Sequence, residues 1–365
     1  MTTTAPGPLG GAHRFKLGVF SMNADGGLAI TTVPERWTAR WEDNLAAARI
    51  AEEGGLDFLL PIARWKGFGG RTRVREWSFE TFTWAAGLAA ATSRIGLFMT
   101  VHVPLVHPVY AAKALATVDH ISAGRAGLNI VCGWNPDEFA MFGATPSERA
   151  YDQAAEWITI VERAYAAEAP FDFAGEFYRL KGVVSRPASL QRPRPVTMNA
   201  AFGDPGRNFA ARHCDYLFST FSDIADGARH VADIRDRAAR AGREVGICTV
   251  AHVVCRDSQD EAEAYYHRYA VEMADHAAVD AHMAGKKAFS RSHDPEAYDR
   301  YRQRFAGGAG SYPLVGTPEH VAAELLRIAE QGYQGAALSF VNYTAELPFF
   351  CRRVLPLLRD AGLRE

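Results

Sequence analysis

A lone amide interrupts an apolar run, Gly127-Leu128-Asn129-Ile130-Val131-Cys132. A buried amide left without hydrogen bonds costs about 1–3 kcal/mol, so Asn129 is either a satisfied core residue or the contact for a polar ligand. The next stretch, Gly133-Trp134-Asn135-Pro136-Asp137-Glu138, adds an indole and two carboxylates. A second group begins at Leu60 and runs through Ala63, Arg64, Trp65, Lys66 and Phe68. Cations mixed with aromatic rings suit a flat anionic ligand, and suit equally a loop whose Trp65 and Phe68 simply cover one end of the fold. A third group, Thr100-Val101-His102, ends in a side chain able to act as acid or base near neutrality. No carboxylate is spaced to partner it, so a packed His102 competes with a functional one. The turn Asn199-Ala200-Ala201-Phe202-Gly203-Asp204-Pro205-Gly206 opens a helix, where backbone N–H groups and the helix dipole attract phosphate.

Other chemistries lack their spacing. The chain has no GxxxxGK[ST] or GxGxxG loop, no HExxH pair and no GxSxG elbow. Its five cysteines are scattered without a CxxC pair, which fits reduced thiols in a cytoplasm rather than disulfides or zinc. A formal net charge of −2 gives no global field toward nucleic acid or anionic membrane. The cluster Arg71, Arg73 and Arg75 reads as a solvated loop. The most apolar region, residues 84–118, is broken by His102, Pro104, His107, Pro108 and Lys113, short of the roughly 18 apolar residues of a membrane span.

Those residues need a frame to hold them, and short apolar runs alternating with amphipathic ones supply it. Strands are expected at residues 16–20, 57–60, 95–101, 127–132, 196–200, 215–219, 244–255 and 335–340, with helices at 37–53, 79–91, 108–121, 147–167, 206–213, 223–241 and 317–331. The pattern predicts one α/β domain over 15–365, a (β/α)₈ TIM barrel, after a flexible tail at 1–14. Between 259 and 310 the rhythm is lost. A charged helix over 260–283 and a polar, Gly-ending piece over 286–310 read as an insertion before the last helix, either a lid or a contact surface. A closing helix is expected at 346–361. In such a barrel, function sits where strands end and βα loops begin, which selects the groups named above.

Five stretches carry a resemblance: WKGFGGRT (65–72), SFETFTWAAGLAAATSRIGL (78–97), ATVDHISAGRAGLNIVCGWNPDEFAMFG (116–143), FAGEFYRL (173–180) and LVGTPEHVAAEL (314–325). Through them the chain resembles the luciferase-like, FMN-dependent monooxygenases, closest to the branch with pyrimidine monooxygenase and dimethylsulfone monooxygenase. The resemblance implies FMN, taken up as FMNH₂, across the carboxyl-terminal face of the barrel. Ala63, Arg64, Asn129 and Glu138 would flank its ring; Tyr151, Phe202 and Gly203 would lie at its phosphate. Leu60, Thr100 and Asn129 match the family's oxygen pocket, which implies O₂ as cosubstrate and leans toward a flavin N-oxide. Trp65, Phe68, His102, Trp134, Phe340, Asn342 and Tyr343 are the expected substrate contacts.

Two departures concern the phosphate end. Ala150 stands where the family has an Arg before the Tyr, with Arg149 one place earlier, and Asp204 brings a negative charge to a turn that lacks a hydroxyl donor. Weak flavin binding would follow, as suits an enzyme that borrows FMNH₂ from a separate NAD(P)H-dependent flavin reductase. The implied substrate is a small cyclic amide, N-heterocycle or organosulfur compound, and the implied assembly a homodimer or homotetramer. An F420-dependent dehydrogenase and a non-catalytic flavin-binding barrel are the competing readings.

Overall fold

Strands that are apolar on both faces can persist only with cover on both sides, and the βα alternation supplies that cover. The computed structural model describes residues 7–221, 223–285 and 295–365. The first half runs β1 (Lys16–Phe20), α1 (Trp41–Gly54), β2 (Phe58–Leu60), α2 (Thr81–Ala91), β3 (Gly96–His102), α3 (Pro108–Ile121), β4 (Ala126–Val131), the short α4 (Pro136–Met141) and α5 (Ala150–Ala166). A hairpin of β5 (Phe171–Ala174) and β6 (Arg179–Val183) follows. Then come β7 (Val196–Ala200), α6 (Asp204–His213), β8 (Tyr216–Ser219), α7 (Gly227–Arg240) and β9 (Gly246–Cys255). The excursion after β9 contains α8 (Gln259–His267), α9 (His276–Gly285) and α10 (Pro295–Gly308), and leads to β10 (Tyr312–Gly316). The chain ends with α11 (Pro318–Glu330), β11 (Gly335–Ser339), α12 (Tyr343–Arg353) and α13 (Leu355–Asp360).

Eight parallel strands close on themselves in the order β1-β2-β3-β4-β7-β8-β9-β11, with β11 returning to β1. This is the TIM barrel that the alternation predicts. Side chains at every second position point inward. Phe58, Leu60, Phe98, Met198, Phe218, Cys248, Val250 and Ala337 form the interior cluster, while a larger cluster fills the layer between strands and helices. The same two-residue period puts Thr100 and His102 on the inner face of β3, above Phe98, and Thr100 pairs across with Asn129 of β4.

The structure departs from the sequence expectations in six places. The hairpin β5–β6 occupies what reads as loop, and β10 is a ninth strand laid parallel along the second half of β9. The expected helix over 260–283 is broken after His267 by a π-helical turn at Arg268–Glu272. The Gly-rich piece is no loose end: Gly307 and Gly308 finish α10 where a Cβ would strike Tyr266 at 2.6 Å and His252 at 2.1 Å. The middle of the expected insertion, 286–294, lies outside the described residues. Residues 7–11 of the expected tail pack across the amino-terminal end of the barrel, with Leu9 buried in the interior cluster. The closing helix divides at Val354 into α12 and α13. Among the described residues no helix is long and apolar enough to cross a membrane.

Candidate active site

The loop after β2 and the first turn of α4 face each other across the carboxyl-terminal rim. Asn135 caps α4, accepting from the Asp137 amide, and Pro136 opens it, so Glu138 lies in the first turn. Its carboxylate is buried and fully engaged: Arg64 Nη1 donates to Oε2 at 3.1 Å, and the amides of Trp65 and Lys66 donate to Oε1 at 2.8 and 3.2 Å. Burial lowers the Arg64 pKa, and the Glu138 charge opposes that shift. Arg64 Nε has no partner among the described residues. The guanidinium lies over the rings of Phe68 and Trp134, at 5.2 and 5.4 Å.

Deeper inside, a hydrogen-bond chain fixes one amide. Thr100 Oγ1 donates to the Pro61 carbonyl at 2.5 Å and accepts from Asn129 Nδ2 at 3.2 Å. Asn129 Oδ1 is buried and unpartnered among the described residues. Leu60 lies within the interior cluster beneath this chain. His102, one interior step above Thr100, is buried with Nδ1 unpartnered. Burial first, and the Arg64 charge second, drive its pKa down to about 3, so its ring is neutral at physiological pH.

The other end of the site forms where β7 meets α6. Gly203 caps α6, and a Cβ placed there meets nothing nearer than Pro205 at 3.9 Å, which leaves the approach to the first-turn amides open. The Tyr151 hydroxyl rests against Gly206, where an added Cβ would be 2.5 Å away. The unwelcome charge of Asp204 is turned aside: Arg237 Nη2 donates to its Oδ1 at 2.7 Å. Phe202 is exposed, and Arg149 is occupied by Asp152 and Glu176.

The expected site residues therefore divide. Leu60, Ala63, Arg64, Thr100, His102, Asn129, Trp134 and Glu138 share the rim of β2, β3 and β4, while Tyr151, Phe202 and Gly203 gather at α6. Trp65 packs edge-on against Phe142 and is part-exposed. The three from the end of β11 are placed differently. Phe340 packs between Tyr343 and Phe350 in the layer under the helices; Asn342 caps α12; and the Tyr343 hydroxyl is held by the Phe20 carbonyl and Ser339. All three have structural duties: Phe340 continues the outward alternation of Ala336 and Leu338, and Asn342 and Tyr343 open α12.

Arg75 departs from the expected solvated cluster: it is 4% exposed, whereas its neighbours Arg71 and Arg73 are in solvent.

The sequence profile of the luciferase-like monooxygenases matches residues 15–335. The chain belongs to that family. Pyrimidine monooxygenase RutA of Acinetobacter baylyi is 29% identical over 358 residues, covering 94% of each chain. The FMNH₂-dependent dimethylsulfone monooxygenase of Pseudomonas putida is 28% identical over 347 residues, covering 93% of each. Among solved structures, riboflavin lyase RcaE superposes with a TM-score of 0.86 at 22% identity, covering 96% of this chain and 93% of that one. An F420-dependent secondary alcohol dehydrogenase also shares the fold, with a TM-score of 0.71 at 16% identity, covering 94% of this chain and 98% of that one. This luciferase-like protein is thus an oxidoreductase of a family that uses reduced flavin. Its rim has groups that such a cofactor could use: an amide oxygen and a guanidinium nitrogen without partners among the described residues, and an open helix N-terminus.

Proposed function

We propose that this luciferase-like protein is the oxygenase of a two-component pair, receiving reduced FMN from a separate NAD(P)H-dependent reductase and using O₂ to oxygenate and cleave a small organic substrate. Arg64 and Asn129 would contact the flavin ring, Glu138 would hold Arg64 in place, and Tyr151 with the Gly203 turn would receive the phosphate. Reduced FMN, when bound, supplies the electrons that activate dioxygen.

The observation that carries this reading is the Asn129–Thr100–Pro61 chain. The Thr100 proton is committed to the Pro61 carbonyl, so Thr100 cannot donate to dioxygen; it is a positioning residue. It fixes the amide of Asn129, leaving the second Nδ2 hydrogen as donor toward developing negative charge on oxygen and Oδ1 as an acceptor. His102, neutral and buried, offers a polar contact without proton transfer at physiological pH. The apolar interior from Leu60 downward keeps bulk water from the reacting face.

RutA and the dimethylsulfone monooxygenase point to two substrate classes, pyrimidine-type cyclic amides and sulfones. Incubation with a flavin reductase, NADH, FMN and a panel of uracil, dimethyl sulfone, a pyrimidine carboxylate and an aromatic sulfonate, with and without oxygen, tests the reading. Oxygen-dependent loss of one compound supports it. Tight F420 binding with oxygen-independent alcohol oxidation would replace it with the dehydrogenase, and reduced-FMN binding without turnover of any substrate would leave a flavin-binding barrel.

A further inference from the structure

The rim holds a second buried guanidinium that the reading above does not use. Arg75 lies in the loop after β2 in a left-handed conformation, φ 62°. Its Nε donates to the Gly27 carbonyl at 2.9 Å, and its Nη1 stands 3.5 Å from His282 Nδ1. Nη2 has no partner among the described residues, and no carboxylate pairs with the group there. Burial, with the Arg64 charge adding to it, pulls the Arg75 pKa down to about 9, so the side chain is still cationic at neutral pH.

Charge at this end of the barrel is therefore unbalanced. Arg64 has Glu138; among the described residues Arg75 has no counterpart, and His102 is neutral. The nearby carboxylates are engaged elsewhere: Asp25 with Arg36, and Asp275 with the amide and hydroxyl of Thr72. A buried cation without a counter-charge is strongly unfavourable, so a fold that keeps one has a use for an arriving anion.

The surroundings indicate that anion's shape. Phe68 stacks on His282 of α9 at 3.8 Å and 10°, and Trp134 lies parallel to both within 6°. Both guanidiniums reach the Phe68 ring, Arg64 at 5.2 Å and Arg75 at 5.8 Å. A wall of parallel rings beside an uncompensated cation is built for a flat molecule carrying negative charge.

We propose that Arg75 recognises the anionic group of the substrate, a carboxylate or sulfonate borne on an aromatic or heteroaromatic ring. This rests on the oxygenase reading and narrows its substrate class. It separates this chain's substrate from a neutral pyrimidine and from a neutral sulfone. The reduced flavin's own charge is the competing anion, and the test separates the two.

Calorimetry on the full-length chain without flavin compares benzoate with benzamide, which share a shape and differ in charge. The expected result is a preference for benzoate of tenfold or more, lost in Arg75→Met and partly kept in Arg75→Lys. Arg75→Met should melt no lower than the parent when unliganded, because the Gly27 carbonyl still accepts from Ser21 Oγ. Anaerobic titration with reduced FMN should give the same affinity in parent and variants. Equal binding of benzoate and benzamide by the parent overturns the proposal, as does a preference that survives Arg75→Met. A variant that keeps the preference but loses reduced FMN assigns Arg75 to the flavin instead. Failure of the parent to bind reduced FMN removes the oxygenase reading, while the benzoate comparison still decides the role of Arg75.

Discussion

Arg64 and Glu138, separated by 74 positions in sequence, meet as a buried ion pair with Nη1 3.1 Å from Oε2. The pair ties the loop after β2 to the helix after β4, and so holds two of the three strand ends that frame the mouth. Glu138 also accepts two backbone amides, so its loss leaves a buried cation without its counter-charge and two backbone donors without their acceptor.

Glu138→Ala should therefore destabilise the chain by about 3–5 kcal/mol, the usual penalty for removing one partner of a buried pair. Glu138→Gln should cost less, since its amide oxygen can still accept from Trp65 and Lys66. Replacing both partners, Arg64→Met with Glu138→Leu, should recover much of the loss. Urea unfolding with a common slope would show this order. Equal costs for the Ala and Gln variants would mean that the pair does not hold the loop.

Asn129→Ala should separate chemistry from folding. Among the described residues the side chain makes one hydrogen bond, to Thr100, so its removal should cost only about 1 kcal/mol of stability. Oxygen-dependent turnover, on whichever substrate is consumed, should fall by about 10²–10³, the usual effect of removing a donor aimed at developing charge. Thr100→Val should fall less, because it removes the fixation of the amide and not the donor. A Thr100→Val variant as inactive as Asn129→Ala would show the hydroxyl itself to be the reacting contact.

At the phosphate end, Arg237 is the residue to change. With Arg237→Ala, the Asp204 carboxylate would face the α6 N-terminus uncompensated, and charge near a helix end is worth about 0.3–1 kcal/mol. FMN affinity should drop a few-fold, more at low salt than at high salt. Riboflavin, which lacks the phosphate, should be unaffected. Equal losses for FMN and riboflavin would place the phosphate elsewhere.

Much of this site was readable from sequence because barrels obey simple periodicities. Strand ends located the loops, and alternation put Leu60, Thr100, His102 and Asn129 on the inner face. Other placements were hidden for different reasons. Arg75 looks like Arg71 and Arg73 until α9 brings His282 against it and Asp275, just before α9, takes Thr72. Phe340 sits at a strand end, but it shares the outward alternation of Ala336 and Leu338 and packs on Phe350. The strand β10 was concealed by Pro313, which an edge strand tolerates. Nothing within 312–316 announces that β9 is long enough to carry a second partner.

Acid stability offers a test of the buried histidines. His252 Nδ1 faces Ser311 Oγ at 2.9 Å, and that hydroxyl donates to the Gly308 carbonyl, so Nδ1 carries the proton and Nε2 is bare. Burial, aided by Arg304, lowers its pKa to about 3, as burial and Arg64 do for His102. In the unfolded chain both would titrate near 6.5, so between about pH 6.5 and 3 the unfolded state binds more protons and folding stability falls as pH falls. By this linkage each histidine should account for on the order of 2 kcal/mol lost between neutrality and pH 5. Asp25 and Glu346, whose pKa values burial raises, act in the opposite sense, so the parent's pH curve alone is not diagnostic. The slope must be compared with that of His102→Gln and His252→Gln, each of which should flatten it in this window. A parent and double variant with parallel curves from pH 7 to 5 would show that neither ring is held neutral by the fold.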